Sequence, residues 1–488
     1  MYHHSSKKRQ LIVRSVVYSI MTLSVVAIVT ILMLIILGYS FNRQDGRLEQ
    51  GGLMQFASTP SGATVTLDEV AQSSRTPSKA NVDAKNHHVT MDRTGYRQWQ
   101  KSIMVEPGTI RWLSYARLIP TEPVVSTVHR YTGLDSALVS PFRQWIAVSE
   151  NATVPVITIA DIRSEQLKQE SITIPEESYT VPTTEAVQSF AVESWAQDEK
   201  HMLVKHTYDT DKVEWIIVDR TDVSKTINLS KTFAINPTKV LFGTNNGRNL
   251  YVKTDDIVRK VNLDDRTLSR PYVSNVDDFW VYDSTTVLFS TAVDEATNAR
   301  TVGYISDDME VAETIKSFPA ETTNLKIAFG EYYSRNFVAI AHNTTLELFQ
   351  GTLPKGSTDA DLKVVKTQTL TSPAEWLTIS RNGRFTVAQQ ADGYVTYDVE
   401  LKKADPTKFA RPATTPQRQM QWLDDYMIWN DRENVLRFYE FDGANQQDVM
   451  PVTEGFSVTL SSNNRYVYGF VKNESGASLQ RARLIIGN

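Results

Sequence analysis

Hydrophobic residues are distributed along the chain in two different patterns. Between Arg14 and Arg43 no residue is charged, and the centre of this stretch, residues 16–37, is almost continuously apolar. An apolar helix of about 20 residues crosses the roughly 30 Å hydrocarbon core of a bilayer, and it satisfies its own backbone hydrogen bonds there. A soluble helix would show a polar face, which this segment lacks. The pattern predicts a transmembrane helix over residues 15–42.

The charges on the two sides of this segment predict its orientation. The first 14 residues hold four basic residues and no acidic residue, whereas Arg43 and Arg47 are mixed with acidic residues. The positive-inside rule then makes residues 1–14 a cytoplasmic tail and places the bulk of the chain outside the cytoplasmic membrane. A cleaved signal peptide is the alternative. Its apolar region would be about 7–15 residues long, and Gly38–Ser40 is a poor cleavage site.

The second pattern is alternation of apolar and polar residues, and it begins after a polar stretch. Residues 43–52 contain glycine and charged residues, and they predict a linker. Residues 53–120 then show short alternating runs, with Arg93–Gly95 and Glu106–Gly108 as turns between them. A period of two is typical of strands that bury one face. We therefore predict a compact antiparallel β domain over residues 53–120.

The residues of this β domain resemble the PEGA domain, a small β module of bacterial surface proteins. The family's Ser-x-Pro-x-Gly-Ala and Val-x-Leu-Asp segments correspond to Ser58–Asp68. Its later Thr-Pro, Gly-Tyr and Trp elements correspond to Thr76–Pro77, Gly95–Tyr96 and Trp99. The chain departs from the family in two turns, with Glu69 in place of a usual Gly and Asn86–His87 in place of a usual Gly-His.

The PEGA resemblance implies a non-catalytic module that acts as a spacer or a binding unit. Gly62 and Gly95 suit turn positions that need a permissive φ. We expect Tyr96 and Trp99 to be core or sheet-face aromatics, and stacking on a sugar is the alternative role.

From residue 124 onward the chain repeats a polar turn followed by an apolar run. Eight copies occur at an average spacing of about 46 residues, and a period of 40–50 with several strands per unit is typical of β-propeller blades. The copies begin at Ser140, Ser194, Phe242, Tyr282, Phe329, Ser380, Leu423 and Ser461. A further apolar run in each unit predicts the third strand of a blade. The runs are residues 154–159, 214–219, 257–262, 301–305, 345–349, 394–398, 435–440 and 478–485.

The repeats resemble the WD40-like and TolB-like propeller units of bacteria. The nearest copies to the Ser-Pro-Asp-Gly motif of those units are Ser140–Ala147 and Ser380–Ala388. The Gly-His and Trp-Asp signatures of WD40 repeats are missing, so the resemblance is to the architecture. The predicted fold is all-β: a seven- or eight-bladed propeller over residues 124–488, with a stack of β-sandwiches as the alternative.

Composition excludes several classes of function. The net charge is −5, and because the first 14 residues carry +4, the rest of the chain carries −9. A nucleic-acid partner is therefore not expected, since such binding depends on cationic residues. The chain has no cysteine. This excludes disulfides, thiolate nucleophiles and cysteine-ligated metals.

No sequence motif identifies catalytic, cofactor-binding or metal-ligating residues. His201 and His206 are five positions apart, so alternation places them on opposite faces of a strand, and His87–His88 are assigned to a turn. Gly243–Arg248 lacks the lysine of a phosphate-binding loop, and Asp209–Asp211 lacks the rest of a calcium loop. Five acidic pairs are interpreted as turn residues. They are Asp255–Asp256, Asp264–Asp265, Asp277–Asp278, Asp307–Asp308 and Asp424–Asp425.

The sequence thus favours a membrane-anchored, extracytoplasmic binding or scaffolding protein. Its expected partners are the cytoplasmic membrane, into which it is inserted, and an envelope protein or a cell-wall glycan. A propeller hydrolase or lyase acting on a glycan is one alternative, and it would need converging carboxylates or a histidine in the channel. An envelope sensor or assembly factor that works with a membrane partner is the other.

Overall fold

The computed structural model describes residues 7–36, 38–42, 47–182, 187–209, 211–244, 246–353, 361–409 and 418–487. The chain divides into two compact units. The first comprises Met1–Glu122 together with Ile486–Asn488, and the second comprises Pro123–Ile485.

The first unit begins with a long apolar helix, α1 (Lys7–Ile36). The part of it that is long and apolar enough to cross a membrane is Leu11–Ile35. Helix α1 starts before the predicted segment of residues 15–42, because the basic residues that precede this segment are also helical. It ends at Ile36, six residues before the predicted end. It ends there because Gly38 adopts a φ of 81°, which lies outside the helical region, and an extended strand begins at Tyr39.

The predicted linker of residues 43–52 is in part a hairpin. Strand β1 (Tyr39–Asn42) pairs antiparallel with β2 (Arg47–Gln50), so the linker prediction was wrong for residues 47–50. Its residues 43–46 lie outside the described residues. The polar composition did not predict this hairpin, because each of its two strands is only four residues long.

A two-sheet β domain follows the hairpin. Its strands are β3 (Gly52–Thr59), β4 (Thr64–Leu67), β5 (Val70–Arg75), β6 (Ser78–Val82), β7 (Asn86–Asp92), β8 (Trp99–Met104) and β9 (Ile110–Arg117). One sheet has the order β6-β3-β9 and the other the order β5-β4-β7-β8. Strands β3 and β9 run parallel, so the prediction of an antiparallel domain was wrong for this pair. The apolar inner faces of the two sheets enclose a core that includes Met54, Phe56, Met91 and Trp99.

The motif residues of this domain have structural roles. The Ser58 hydroxyl and the Thr76 hydroxyl lie 2.7 Å apart, and the Ala63 N–H donates to the Thr76 hydroxyl. Gly62 and Gly95 have φ values of 88° and 84°, as their turn positions predicted.

His87–His88 are not in a turn, contrary to the sequence prediction, but begin strand β7. Alternation along β7 buries His87 and exposes His88, and the buried ring binds the Asp68 carboxylate at 2.8 Å.

In the described part of the second unit the strands form eight four-stranded antiparallel sheets, which are the blades of a propeller. Blades 1 and 2 contain β11 (Ser136–Val139), β12 (Trp145–Ser149), β13 (Val156–Asp161), β14 (Lys168–Thr173), β15 (Ser189–Trp195), β16 (His201–Tyr208), β17 (Lys212–Asp219) and β18 (Ile227–Asn228). Blades 3 and 4 contain β19 (Lys239–Phe242), β20 (Asn249–Thr254), β21 (Ile257–Asn262), β22 (Thr267–Leu268), β23 (Val276–Val281), β24 (Thr286–Thr291), β25 (Ala299–Ser306) and β26 (Glu313–Pro319).

Blades 5 to 7 follow the same order. They contain β27 (Lys326–Tyr332), β28 (Arg335–His342), β29 (Thr345–Gly351), β30 (Lys363–Thr369), β31 (Trp376–Ile379), β32 (Phe385–Gln390), β33 (Gly393–Asp398), β34 (Lys403–Lys408), β35 (Gln421–Trp422), β36 (Met427–Asn430), β37 (Val435–Glu440) and β38 (Gln447–Pro451). The short helix α2 (Leu229–Phe233) and the 3-10 turns Glu176–Ser178, Val223–Lys225 and Arg432–Asn434 lie in connections.

Blade 8 joins the two ends of the propeller. Its first three strands, β39 (Thr459–Leu460), β40 (Tyr466–Asn473) and β41 (Gly476–Arg483), come from the end of the chain. Its fourth strand, β10 (Val125–Tyr131), comes from the start of the unit and pairs antiparallel with β41. The chain therefore closes the ring by strand pairing, and the predicted propeller has eight blades rather than seven.

Burial within the blades follows from their position in the ring. First strands of neighbouring blades contact each other, as β27 does β31, so they form the inner edge. Second and third strands are covered on both sides; β32 and β33 are buried throughout. Fourth strands such as β14 are mostly exposed. All eight predicted third-strand runs overlap the third strands β13, β17, β21, β25, β29, β33, β37 and β41.

Candidate binding site at one mouth of the channel

The turn between the first and second strands of each blade is the polar part of the repeat. In six blades an Asp or Asn side chain accepts a hydrogen bond from a backbone N–H two residues later. These residues are Asp198, Asn246, Asp283, Asn382, Asp424 and Asn463. Such side chains stabilise turns by replacing a backbone acceptor. The turn positions fixed in this way all lie at one end of the inner strands, which is one mouth of the channel.

Side chains from non-adjacent blades meet at this mouth. Nη1 of Arg143, in the turn of blade 1, lies 3.5 Å from the carbonyl oxygen of Leu423 in blade 7. The guanidinium carbon of Arg381, in the turn of blade 6, lies 5.7 Å from the ring centre of Phe142 in blade 1. Blade 8 separates blades 1 and 7, and blades 7 and 8 separate blades 1 and 6, so these contacts join blades that are not neighbours in the ring. We call Phe142, Arg143, Arg381 and Asp425 the mouth cluster.

The mouth cluster combines positive charge, an exposed ring and one carboxyl group. Phe142 is 47% exposed and Arg381 is also exposed. Burial and, after it, the charge of Asp424 raise the pKa of Asp425, while Arg381 and Arg143 oppose the rise. Guanidinium groups bind carboxylate and phosphate groups and stack on aromatic faces. The cluster is therefore suited to a ligand that carries an anionic group beside an apolar surface.

Phe142 can occupy the mouth because Glu199 of blade 2 provides the hydrogen-bond acceptor that a turn residue provides in other blades. In blades 6 and 8 the first serine hydroxyl donates to the asparagine two residues later, Asn382 or Asn463. In blade 1 the equivalent position is Phe142. Here the Ser140 hydroxyl donates to Glu199 at 2.6 Å, and the Phe142 N–H donates to the same oxygen at 2.7 Å.

Four of the five acidic pairs lie in turns as predicted, but the prediction was wrong for Asp277–Asp278, which lie in strand β23. Asp264, Asp278 and Asp307 bind Arg248, Lys239 and Lys260, respectively, at 2.6–2.7 Å. Asp277 pairs with Arg300, and Asp256 accepts the Asn275 N–H at 3.2 Å. Of these acidic residues, Asp425 belongs to the mouth cluster, whereas Asp424 accepts two backbone N–H groups of its turn.

Two of the propeller histidines, His201 and His206, lie in separate environments on β16. His201 contacts Asp198 at 2.7 Å and Asp219 at 3.7 Å. His206 is fully buried, stacks on Phe190 and contacts Glu214 at 2.9 Å. Among the described residues no group of three or more His, Asp or Glu side chains could hold a metal ion.

The remaining residues singled out in the sequence have local roles. Asp209 pairs with Lys212 at 3.2 Å. Within Gly243–Arg248, whose residue 245 lies outside the described residues, the N–H of Gly247 donates to Asp198 in the neighbouring blade, so Gly247 lies at a blade interface. Trp99 is completely buried beside Tyr115, which leaves no face for a sugar, and Tyr96 is nearly buried.

The mouth cluster was not identified from the sequence, although its turns were. Phe142, Arg143 and Arg381 lie within two copies of the repeat, directly after the serines at 140 and 380. Alignment of the copies on these serines would reveal the long side chains at the turn positions. It would not reveal that residues about 240 positions apart meet, because that contact depends on ring closure.

Comparison with known protein families agrees with the predicted identity of the small β domain. A family model described as the PEGA domain matches residues 52–118. No curated protein matches the chain.

Several solved structures are similar to this chain at low sequence identity. The Swd1 β-propeller domain of Myceliophteria thermophila is 10% identical with a TM-score of 0.39, covering 68% of this chain and 100% of that one. Oligogalacturonate lyase of Vibrio parahaemolyticus is 11% identical with a TM-score of 0.37, covering 75% and 99%. The dihydro-heme d1 dehydrogenase NirN is 14% identical with a TM-score of 0.42, covering 76% and 72%. At these TM-scores the likeness carries no information on ligand or activity. The matched family and the strand order together identify residues 52–118 as a PEGA domain and the unit Pro123–Ile485 as an eight-bladed β-propeller.

Proposed function

We propose that this chain is a membrane-anchored, extracytoplasmic binding protein that recruits a protein partner at the mouth cluster of its propeller. The observation that carries the proposal is a pair of contacts between non-adjacent blades: Arg381 lies over the Phe142 ring, and Arg143 reaches the Leu423 carbonyl. Loops held on a rigid scaffold are common recognition surfaces. These side chains come from turns that are each fixed by hydrogen bonds, so the surface is pre-organised for binding.

The character of α1 supports an uncleaved anchor. Its polar side chains are compatible with hydrocarbon, since the hydroxyls of Thr22, Ser24 and Thr30 each donate to the carbonyl four residues earlier. The basic residues before the apolar stretch favour a cytoplasmic N-terminus.

The chemistry of the mouth cluster favours a protein partner. Arginine and aromatic residues are enriched in protein interfaces and in their energetic hot spots. A partner segment with an acidic side chain next to an apolar one would pair with Arg381 and pack on Phe142. A glycan bearing carboxylates shares part of this chemistry and is distinguished by experiment.

The test is a crosslinking pull-down from intact cells with the full-length, C-terminally tagged chain. We expect one envelope protein to be captured, and we expect Arg381→Ala and Phe142→Ala each to reduce its recovery about tenfold or more, the range of a hot-spot residue. Arg130→Ala is the matched control, because Arg130 is exposed on the outer strand of blade 8.

Each other outcome of this test has a definite meaning. Equal recovery with all three variants would exclude the mouth cluster as the binding site. Retention of the wild type on purified wall glycan, without a protein partner, would assign the site to carbohydrate. Turnover of that glycan would favour the enzyme alternative and would make Asp425 the next residue to change.

A further inference from the structure

The PEGA domain exposes a group of large apolar side chains at one end. Among the described residues 47–122, five such side chains are half or more exposed. They are Leu48, Val70, Met104, Ile110 and Trp112. On β9 the exposed residues Ile110 and Trp112 alternate with the buried Leu113, so they share the outer face of the sheet. Isolated exposed apolar residues are ordinary, but a concentration at one end of a small domain indicates an interaction surface.

This end of the domain is the end from which the membrane helix leaves. Main-chain hydrogen bonds connect this end of the domain to the residues that follow the helix. The Gly51 N–H donates to the Gly38 carbonyl at 2.9 Å, and the Gly108 N–H donates to the Gly51 carbonyl at 2.8 Å. Gly38 lies two residues after α1, and Gly108 belongs to the turn between β8 and β9. Met104 ends β8 and Ile110 begins β9, so both flank that turn.

The same end also includes the turn that carries Val70. Val70 pairs with Leu67 at the β4–β5 turn, and Leu67 pairs with Val89 near the start of β7. The start of β7 in turn pairs with the end of β8, with Asn86 opposite Met104. Val70, Met104 and Ile110 therefore lie at the end of the domain nearest the anchor, and Trp112 follows on the outer face of β9.

The dimensions place this end in the lipid headgroup region. The apolar part of α1, 25 residues long, spans about 37 Å at 1.5 Å per residue, more than the roughly 30 Å hydrocarbon core. Its end at Ile35 thus reaches the boundary of the core. The headgroup region beyond that boundary is about 5–8 Å thick. Met104 and Ile110 flank the turn at this end of the domain, and two residues of a strand cover about 7 Å, so Trp112 lies about that far along β9 from Ile110.

We propose that Met104, Ile110 and Trp112 insert into the outer-leaflet interface and hold the PEGA domain on the lipid surface. This inference rests on the proposed membrane anchor, and it adds a second membrane contact to it. The choice of lipid follows from the continuity of this surface with α1 and from Trp112, since tryptophan favours the membrane–water interface. The side chains around the surface carry both signs of charge, with Lys85 and Arg111 beside Asp68 and Glu106. Apolar insertion therefore drives the contact, and it does not require anionic lipid.

The absence of cysteine from the chain allows a direct test. Met104→Cys and Ile110→Cys are made singly in the full-length protein, labelled with an environment-sensitive fluorophore and placed in phosphatidylcholine nanodiscs. The nanodiscs contain lipids with a nitroxide quencher at a shallow or a deep acyl position. Ser61→Cys is the control for the domain, because Ser61 is exposed in the turn at the far end of β3. Thr22→Cys, at the centre of α1, is the control for the anchor.

We expect the shallow quencher to reduce the fluorescence at positions 104 and 110 by about twofold or more, as for an interfacial group, and to leave position 61 unchanged. Equal fluorescence at positions 61, 104 and 110, with position 22 quenched by the deep nitroxide, would overturn the inference and keep the anchor. An unquenched label at position 22 would remove the anchor and the inference together. Shielding of positions 104 and 110 only in native membranes, without nitroxide quenching, would assign the surface to a protein.

Discussion

Glu199 is the residue on which the geometry of the mouth cluster depends most directly. It is buried, belongs to the turn of blade 2 and accepts hydrogen bonds from the Ser140 hydroxyl and the Phe142 N–H of blade 1. A hydrogen bond to a charged acceptor contributes about 1.5–3 kcal/mol, and an unsatisfied buried donor adds a penalty. Glu199 therefore both joins two blades and holds the turn that presents Phe142.

We predict that Glu199→Ala lowers the free energy of unfolding of the propeller by about 2–3 kcal/mol, because two donors lose their acceptor. Glu199→Gln keeps one acceptor oxygen and should cost about half as much. Thermal denaturation in detergent measures both. The control is Glu165→Ala, whose half-exposed ion pair with Arg465 should contribute less than about 1 kcal/mol. Equal effects of Glu165→Ala and Glu199→Ala would refute the structural role of Glu199.

A second residue-scale prediction concerns pH. Burial alone would raise the pKa of Glu214, but hydrogen bonds from His206, Asn228 and Thr180 outweigh it and lower the pKa to about 2. Because the folded-state pKa lies below the ordinary value of 4.5, the ionised carboxylate stabilises the fold above pH 4.5. This contribution is lost as the pH falls from 4.5 towards 2.

We therefore expect Glu214→Gln to be clearly less stable than the wild type at pH 6, with the difference shrinking below pH 4.5. Denaturation midpoints measured at pH 6, 4 and 3 provide the comparison. A difference that stays constant over this range would show that the charge of Glu214 does not contribute.

Strands were predictable where two faces of a segment have different environments, or where an apolar run is buried on both faces. The third strands β21 and β37 match the predicted runs residue for residue, because these runs lie between polar turns. The fourth strands were not located, since their exposed side chains leave no apolar period. The β1–β2 hairpin was missed for the same reason.

The closing strand β10 is the element whose pairing could least be predicted. Its partner β41 lies about 350 residues away in the sequence, and only ring closure brings the two together. In the other blades the chain itself connects the fourth strand to the third. In blade 8 noncovalent pairing alone joins the two ends of the ring.

We predict that replacing Val125–Tyr131 with a seven-residue Gly/Ser segment abolishes the cooperative unfolding of the propeller. The matched control replaces Lys363–Thr369, the seven-residue fourth strand of blade 5, whose blade remains connected on both sides. Limited proteolysis and calorimetry compare the two variants. A β10 variant as resistant and as cooperative as the β30 variant would contradict closure by β10.

At the scale of the whole molecule, the sequence indicated the architecture better than the site. The apolar segment, the PEGA motif and the repeat period each depend on local patterns, so they predicted the helix, the small β domain and the propeller. The mouth cluster depends on contacts across the ring, such as that between Arg143 and Leu423, and no local pattern encodes them. The exposed apolar end of the PEGA domain could not be predicted from the sequence either, because alternation of apolar and polar residues does not reveal which strand faces remain exposed to solvent.

Site-specific photocrosslinking on intact cells is the most direct test of binding at the mouth cluster. A photoreactive amino acid replaces Phe142 in the full-length chain, and a matched variant carries it at Val364, a similarly exposed residue on the outer strand of blade 5. We expect a discrete adduct with one envelope protein from position 142 and none from position 364. The same adducts from both positions, or none from position 142, would contradict the claim that the mouth cluster is where this protein binds its partner.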